Sequence, residues 1–160
     1  MKRIFATLLA VLLLTSCSAH TVERSIEEKD VKRIVYQCVD SQRMILLDQE
    51  EIQFVLNVAP TEYISAWVWQ DQSASTIDEV AVFIADKNSE NLLYQKLEQY
   101  LLRCKGDKKE WLESYNPAEA DKLSQGKLFR YGNCMGYVFL NEDEMGVFLK
   151  ELNEFYSTQE

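Results

Sequence analysis

Apolar positions recur with the 3.6-residue period of a helix in several parts of this chain. Over residues 30–39 they form one stripe, made of Val31, Ile34, Val35 and Cys38. This helix begins at the first residue of that range or as early as Ser25. A second helix is predicted over residues 48–57, where Asp48 can act as the N-cap and glutamates follow in the first turn.

The second half of the chain carries further helix signals. A long helix is predicted to start after Asn88 or Ser89 and to bend or end near Gly106, beyond which the helical pattern continues. Pro117 is typical of the first position of a helix and predicts a new, short helical turn. A last helix is predicted to start at Asn141, ahead of an acidic first turn and an apolar face.

Strand patterns occur in pairs between these helices. The first pair is predicted over residues 63–70 and 79–85, joined by a polar connection; its second member is almost wholly apolar, as in a strand buried on both faces. The second pair, over residues 127–131 and 134–140, flanks a turn that begins with Gly132. Glycine at that position favours a type II′ hairpin turn.

These elements follow the order αα-ββ-α-ββ-α. We therefore predict an α+β fold, with an antiparallel sheet of about four strands in two hairpins and helices packed on one face. The length is sufficient for one domain with a sizeable core.

The N-terminus has the pattern of an export signal. Lys2 and Arg3 precede an uncharged, mostly aliphatic run over residues 4–14. As a helix this run rises about 16 Å, which is half of a bilayer's hydrocarbon core and too short for a stable membrane span. Its length and its positive start are typical of a secretory signal peptide.

The run ends in Leu14, Thr15, Ser16 and Cys17, a sequence that resembles the bacterial lipoprotein box. The resemblance implies that the Cys17 thiol receives a diacylglyceryl group, that the peptide is cut before it, and that fatty acyl chains such as palmitate anchor the protein. The alternative is an ordinary cleaved signal peptide with an accidental cysteine. We predict a signal peptide over residues 1–16, a lipidated tether over 17–29 and a single domain over 30–160.

Charge narrows the range of partners. The formal net charge is −9, and it becomes −11 once the two positive charges of Lys2 and Arg3 are removed. A domain this acidic is repelled by nucleic-acid phosphates and by anionic lipid headgroups. We therefore expect the protein not to bind nucleic acid, and we expect it to contact the membrane through its lipid.

Three cysteines remain after Cys17, and none of them lies in a C-x-x-C motif. An odd number permits at most one intramolecular disulfide. Two interpretations stay open: buried free thiols, or one bridge, for which Cys38 with Cys104 is the first choice over pairings with Cys134.

Several short sequences in the domain resemble a family of small surface lipoproteins of Gram-positive, clostridial-type bacteria, catalogued as a domain of unknown function. The resemblance covers roughly residues 40–155. It depends on the run 78–83 before a long helix, on 115–117 after it, and on 132–133 before the strand that ends at 137–139. Cys134-Met135-Gly136 departs from the family pattern. The resemblance implies an α+β fold and a lipid anchor, and it implies no activity.

The sequence offers few residues suited to catalysis or to binding a metal or cofactor. The single histidine, His20, lies on the predicted tether, where no packed scaffold can orient it for Ser-His or Cys-His catalysis. Most carboxylate pairs lie at predicted helix starts, where the helix dipole accounts for them. We predict no metal site and no cofactor besides the covalent lipid on Cys17.

The remaining feature is an aromatic row on the first strand. Period-2 alternation places Tyr63, Trp67 and Trp69 on one strand face, where they either pack into the core or form an exposed platform for a glycan or peptide. Burial is the favoured interpretation.

The sequence leads to one functional hypothesis and two competitors. We expect a lipid-anchored module on the extracytoplasmic face of a bacterial membrane that binds an envelope protein, peptide or glycan without being an enzyme. The first competitor is a carboxylate-dependent wall hydrolase or an inhibitor of wall enzymes. The second is a structural lipoprotein with no small-molecule ligand.

Overall fold

The computed structural model describes residues 25–73 and 75–157, and within them it contains five strands and six α-helices. The strands are β1 Met44–Leu46, β2 Tyr63–Asp71, β3 Glu79–Ala85, β4 Lys127–Tyr131 and β5 Cys134–Phe139. The helices are α1 Glu28–Cys38, α2 Gln49–Leu56, α3 Glu90–Asp107, α4 Lys109–Tyr115, α5 Pro117–Gln125 and α6 Glu142–Ser157. A single 3₁₀ turn, Pro60–Glu62, precedes β2.

The strands form one antiparallel sheet in the order β1-β2-β3-β5-β4. Both predicted hairpins are present, and they meet where β3 pairs with β5, so that Val82 lies opposite Gly136. Gly132, in the second hairpin turn, has a positive φ of 59°, as the predicted turn requires. The three-residue strand β1 was not predicted; it extends the sheet beyond β2 at one edge.

Helices cover both faces of the sheet. α1 and α6 pack on one face, over a core that includes Trp69, Val82 and Phe148. α2, α3, α4 and α5 pack on the other face, over a core that includes Phe83 and Tyr137. The predicted α+β class and antiparallel sheet are confirmed, whereas the prediction of helices on one face was wrong.

The central strand explains the second layer. Every residue of β3 is buried, from Glu79 to Ala85. Because alternate side chains of a strand point to opposite faces, a strand that is apolar at nearly every position needs a cover on each side.

The folded domain begins earlier than the sequence predicted. Ile26 is only 2% exposed and belongs to the core beneath α1. The predicted tether over residues 17–29 therefore overlaps the packed domain, at Ile26 and at the first residues of α1. Cys17 and His20 lie outside the described residues.

Two helix starts match their predicted caps. Asp48 accepts a hydrogen bond from the Glu51 backbone, and the Glu51 side chain accepts one from the Asp48 backbone, forming a capping box on α2. The Asn141 side chain accepts a hydrogen bond of 2.9 Å from the Glu144 backbone at the start of α6. Gly106 lies inside α3, which continues to Asp107.

Candidate functional site

The beginning of the described chain marks one end of the domain. α1 and α6 run antiparallel, since Arg33 in α1 contacts Glu151 in α6 at 3.3 Å, and Cys38 at the end of α1 lies in the field of Glu144 near the start of α6. The start of α1 is therefore beside the end of α6. We call this the N-terminal end.

The β4–β5 turn and the start of α3 belong to the same end. Tyr131, next to that turn, stacks on Tyr156 of α6 at 5.3 Å between ring centroids. Arg130 of β4 pairs with Glu90, the first residue of α3, at 2.6 Å. The β2–β3 connection and the end of α3 consequently lie at the opposite end, which we call the distal end.

A groove runs across the distal end, formed by two clefts that share Gln70 and Lys108. One cleft, of about 270 Å³, lies against the β2–β3 connection. The other, of about 230 Å³, follows the last turns of α3. We call the pair the distal groove. The first cleft has a mainly polar lining and the second a mixed one, and together they include Gln70, Ser73, Thr76, Tyr100, Arg103 and Lys108.

Glu79 is the buried carboxyl group of this groove. It is 3% exposed and accepts hydrogen bonds from the hydroxyls of Tyr137 and Tyr100, the latter at 3.1 Å to both carboxylate oxygens. Burial raises the pKa of Glu79 above its ordinary value, against the hydrogen bonds from the two tyrosines, which lower it. The same burial raises the pKa of both tyrosines, so their hydroxyls remain donors.

Asp71 is a second carboxyl group in the wall, with the opposite behaviour. Its side chain accepts a hydrogen bond of 2.6 Å from the Ser73 backbone and pairs with the Arg43 guanidinium. Burial alone would raise the pKa of Asp71, but the bond from Ser73 and the charge of Arg43 lower it below its ordinary value. Asp71 is therefore ionised at neutral pH.

An ion-pair network fixes the loop that forms this wall. Lys122 of α5 pairs with Asp78 at 2.6 Å and with Glu119 at 2.8 Å. Glu119 in turn accepts a hydrogen bond of 2.9 Å from the Ile77 backbone. Because these carboxylates are buried and each has a charged or backbone partner, the network holds the β2–β3 connection against α5.

Two cations of the groove have no carboxylate partner among the described residues. Lys108, between α3 and α4, forms no ion pair there, although it lies close enough to Glu79 to lower that group's pKa. Arg103 donates a hydrogen bond of 3.0 Å to the backbone oxygen of Val55 and lies over the Tyr100 ring. Asp107 also lines the cleft along α3. Together with Lys108 and Arg103 it gives that cleft a formal charge of +1.

An exposed aromatic pair continues the groove along α4. Trp111 and Tyr115 are 52% and 76% exposed, and their ring centroids are 5.6 Å apart. Lys108, Trp111 and Tyr115 follow one another at i, i+3 and i+7, which places them on one helix face. The Asn116 amide donates to the backbone oxygen of Ser75 at 3.2 Å and so ties this helix to the groove wall.

The aromatic row predicted on the first strand is divided between the two faces of the sheet. Trp67 and Trp69 are 9% and 1% exposed in the core beneath α1, in agreement with the favoured interpretation. Tyr63 packs against Phe83 in the opposite core, with ring centroids 5.5 Å apart. A shift in the β2–β3 register between Tyr63 and Ser65 reverses the face, so the prediction that the three rings share one side was wrong.

The candidate disulfide is also absent. Cys38, Cys104 and Cys134 are free and buried. Cys38 and Cys134 belong to the core under α1 and α6, whereas Cys104 belongs to the core under α3, with the sheet between them. The prediction of a bridge between Cys38 and Cys104 was therefore wrong. An apolar stripe shows which side of a helix a residue occupies, but it does not show which face of the sheet that helix covers.

Residues 25–73 and 75–157 contain neither a cluster of metal ligands nor a membrane-spanning helix. No group of three or more histidine, cysteine, aspartate or glutamate side chains there is arranged to hold a metal ion. In the same residues, no helix combines the length and the hydropathy that crossing a bilayer requires.

The distal groove was not predicted from the sequence. Its lining comes from α2, β2, β3, the loop between the two strands and the end of α3, which are distant in sequence. One feature of the sequence could have indicated this site. Trp111 and Tyr115 are two large aromatic residues at i, i+4 in a short helix rich in charged residues.

Comparison with known proteins informs only the N-terminus. A family model for the prokaryotic membrane lipoprotein lipid attachment site matches residues 1–18, a segment that includes Cys17. The chain is thus a membrane-anchored lipoprotein, as the sequence predicted. No curated protein and no solved structure matches it.

Proposed function

We propose that this lipoprotein is a non-enzymatic binding module on the extracytoplasmic face of a bacterial membrane, with the distal groove as its binding surface. One observation carries the proposal: the groove and the exposed pair Trp111 and Tyr115 lie at the end of the domain opposite Ser25, where the chain leads to the lipid. A domain anchored at one end presents its opposite end to its surroundings.

The anchor supports this orientation. In the proposal, Cys17 is the lipidated N-terminus of the mature chain and carries diacylglyceryl and further acyl chains. Each buried methylene contributes about 0.8 kcal/mol, so two or more chains hold the protein stably. From Cys17 to Ser25 the chain reaches at most roughly 28 Å, which keeps the domain close to the membrane.

Site-specific photo-crosslinking on living cells tests the binding surface. A photoreactive amino acid replaces Trp111, and the matched control replaces Leu92, which is comparably exposed near the start of α3 at the N-terminal end. We expect one discrete adduct from position 111, absent from position 92 and lost when Lys108→Gln is added. Equal adducts from both positions, or none from position 111, would contradict the proposal.

A carboxylate-dependent hydrolase is the second candidate, and one observation favours it. Asp71 and Glu79 line the same cleft, with pKa values displaced in opposite directions. Such a separation is typical of a base and an acid that act together. Against it, both carboxyl groups are already engaged, by Arg43 and Ser73 in one case and by two tyrosines in the other.

Incubation of the purified protein with cell-wall polymer distinguishes the two candidates. The hydrolase hypothesis expects release of soluble fragments, abolished in both Asp71→Asn and Glu79→Gln. The binding proposal expects the polymer to remain intact in the wild type. Release that survives both substitutions would exclude this carboxylate pair as its source.

A further inference from the structure

We propose that the ligand of the distal groove is an acidic glycan, a chain of sugars that carry carboxylates. This inference rests on the proposed function and specifies its ligand. Three features support it: the positive charge of one cleft, the type of polar side chain in the groove wall and the aromatic pair beside the groove.

One of the two clefts, the one along α3, has a charge opposite to that of the whole protein. The chain has a net charge of −9, yet Lys108, Arg103 and Asp107 give this cleft a formal charge of +1, and neither cation forms an ion pair among the described residues. Asp71, the ionised carboxylate of the wall, is balanced by Arg43. Unpaired cations at a partly enclosed surface attract an anionic group, and hydrogen bonds to charged groups contribute about 1.5–3 kcal/mol each.

Three other side chains of the groove can both donate and accept hydrogen bonds. Gln70 lies where the two clefts meet, and Ser73 and Thr76 line the wall beside it. Amides and hydroxyls can each donate and accept. Sugar hydroxyl groups do the same, so this lining matches a polyhydroxylated ligand at several positions.

The aromatic pair supplies the apolar part of the site. Trp111 and Tyr115 have ring planes inclined by 33° and large exposed areas, on the helix face that begins with Lys108. Adjacent exposed aromatic rings with polar neighbours form an apolar surface of the kind that ligands cover. The C–H faces of successive sugar rings can pack on such rings while their carboxylates reach Lys108.

A peptide ligand fits these observations less well. Peptides are bound by an exposed sheet edge, an apolar groove or an aromatic channel for polyproline segments. The cleft against the β2–β3 connection has a mainly polar lining, so it offers no pocket for apolar anchor residues. In the cleft along α3 the apolar surface comes from Val55, Tyr100 and Cys104, which belong to α2 and α3 and form no continuous apolar channel with the first cleft.

Calorimetric titration of the full lipidated protein in detergent tests the inference. The probes are a linear oligogalacturonate, a neutral oligogalactan of the same length and an oligoglutamate peptide. We expect the oligogalacturonate to bind most tightly, and its affinity to fall as salt is raised. Lys108→Gln and Trp111→Ala should each weaken it by roughly tenfold.

Matched controls isolate the site. Lys150→Gln changes an exposed lysine of α6, on the other face of the sheet, and Leu102→Ala changes an exposed apolar residue of α3. Both should leave the affinity unchanged. Equal weakening by Lys150→Gln would mean that general charge, not the groove, attracts the glycan, and the inference would then be wrong.

The outcomes separate this inference from the proposed function. Equal binding of the neutral galactan, still weakened by Trp111→Ala, overturns the requirement for carboxylates and leaves the binding module intact. Tighter binding of the oligoglutamate overturns the glycan in favour of an acidic peptide. Binding of none of the probes overturns the inference, while the adduct from position 111 decides the proposed function independently.

Discussion

Glu79 is a carboxyl group whose burial is unfavourable and whose hydrogen bonds are favourable. Taking a charge out of water is expensive, so burial raises the pKa of this carboxyl group above its ordinary value. The hydroxyls of Tyr137 and Tyr100 bond to it and offset part of that cost. The arrangement keeps a polar group beneath the groove without an unpaired charge in the core.

The raised pKa of Glu79 makes the stability of the protein depend on pH. Since the folded-state pKa of Glu79 is raised, its contribution is fully present below the unfolded value, near 4.5, and is lost as the pH rises through the folded-state value. Glu79→Gln resembles the protonated group and cannot ionise. Urea unfolding between pH 4 and 8 should therefore favour the glutamine variant over the wild type increasingly with pH.

Glu79→Ala serves as the comparison for that measurement. It leaves two buried tyrosine hydroxyls without their acceptor, at about 1–3 kcal/mol each, so it should destabilise the protein at every pH. A difference between Glu79→Gln and the wild type that does not change with pH would contradict the raised pKa.

The alternation of side chains along β2 predicts the environment of some of its aromatic residues but not of all. The burial of Trp67 and Trp69 could be predicted from the alternation of β2, and it is observed. The position of Tyr63 could not, because the register shift beside it reverses the face of every residue before it. Such shifts depend on the pairing with β3 and leave no mark in the strand's own sequence.

At the level of elements, the start of α2 depends on the capping box of Asp48 and Glu51. Asp48→Ala removes the acceptor for the Glu51 backbone and should cost about 1 kcal/mol of unfolding free energy. The control is Ser89→Ala at the start of α3, where the serine side chain forms no capping hydrogen bond. Chemical denaturation should detect a loss for Asp48→Ala and a change within a few tenths for Ser89→Ala; equal losses would contradict the assignment.

Two glycines should respond in opposite directions to substitution by alanine. At Gly136 in β5 the new Cβ would lie 1.8 Å from the backbone oxygen of Ala81 in β3, so Gly136→Ala should separate the central strands and cost about 3 kcal/mol or more.

At Gly146 in α6 no atom lies within 4 Å of the position that a new Cβ would take, so Gly146→Ala should stabilise the protein by about 0.5–1 kcal/mol. Thermal unfolding measures both, and a loss at Gly146 would contradict the open surroundings.

Elements with strong local signals were predicted from the sequence, and elements without them were missed. The caps of α2 and α6 and both hairpins carry such signals, so they were found within a residue or two. β1 has only three residues and forms only because β2 offers it an edge. α5 was expected as a short turn after Pro117, yet it extends to Gln125 because Ala120 and Leu123 pack on the sheet.

At the scale of the whole molecule, the distal groove could not be predicted because it is a product of topology. Gln70 and Lys108 meet since α3 runs back along the sheet from the N-terminal end. Local patterns describe each element but not which ends of elements come together. The lipid anchor is the opposite case, because its signal lies in a few adjacent residues.

The three free thiols test the packing of both cores at once. Burial raises the pKa of Cys38 and of Cys134 to about 11 and also raises that of Cys104, so all three remain protonated and shielded at neutral pH. In the lipidated protein a maleimide should label none of them until denaturant is added, and three thereafter by mass spectrometry. Labelling of only one after denaturation would indicate a disulfide and contradict the structure.

β3 belongs to both cores, and this has a consequence for turnover of the protein at the cell surface. A protease that cuts an exposed loop cannot free one helical layer as a durable fragment, because each layer needs the same strand beneath it. Degradation should therefore be all-or-none, with intact chains and short peptides but no long-lived half-domain left on the membrane.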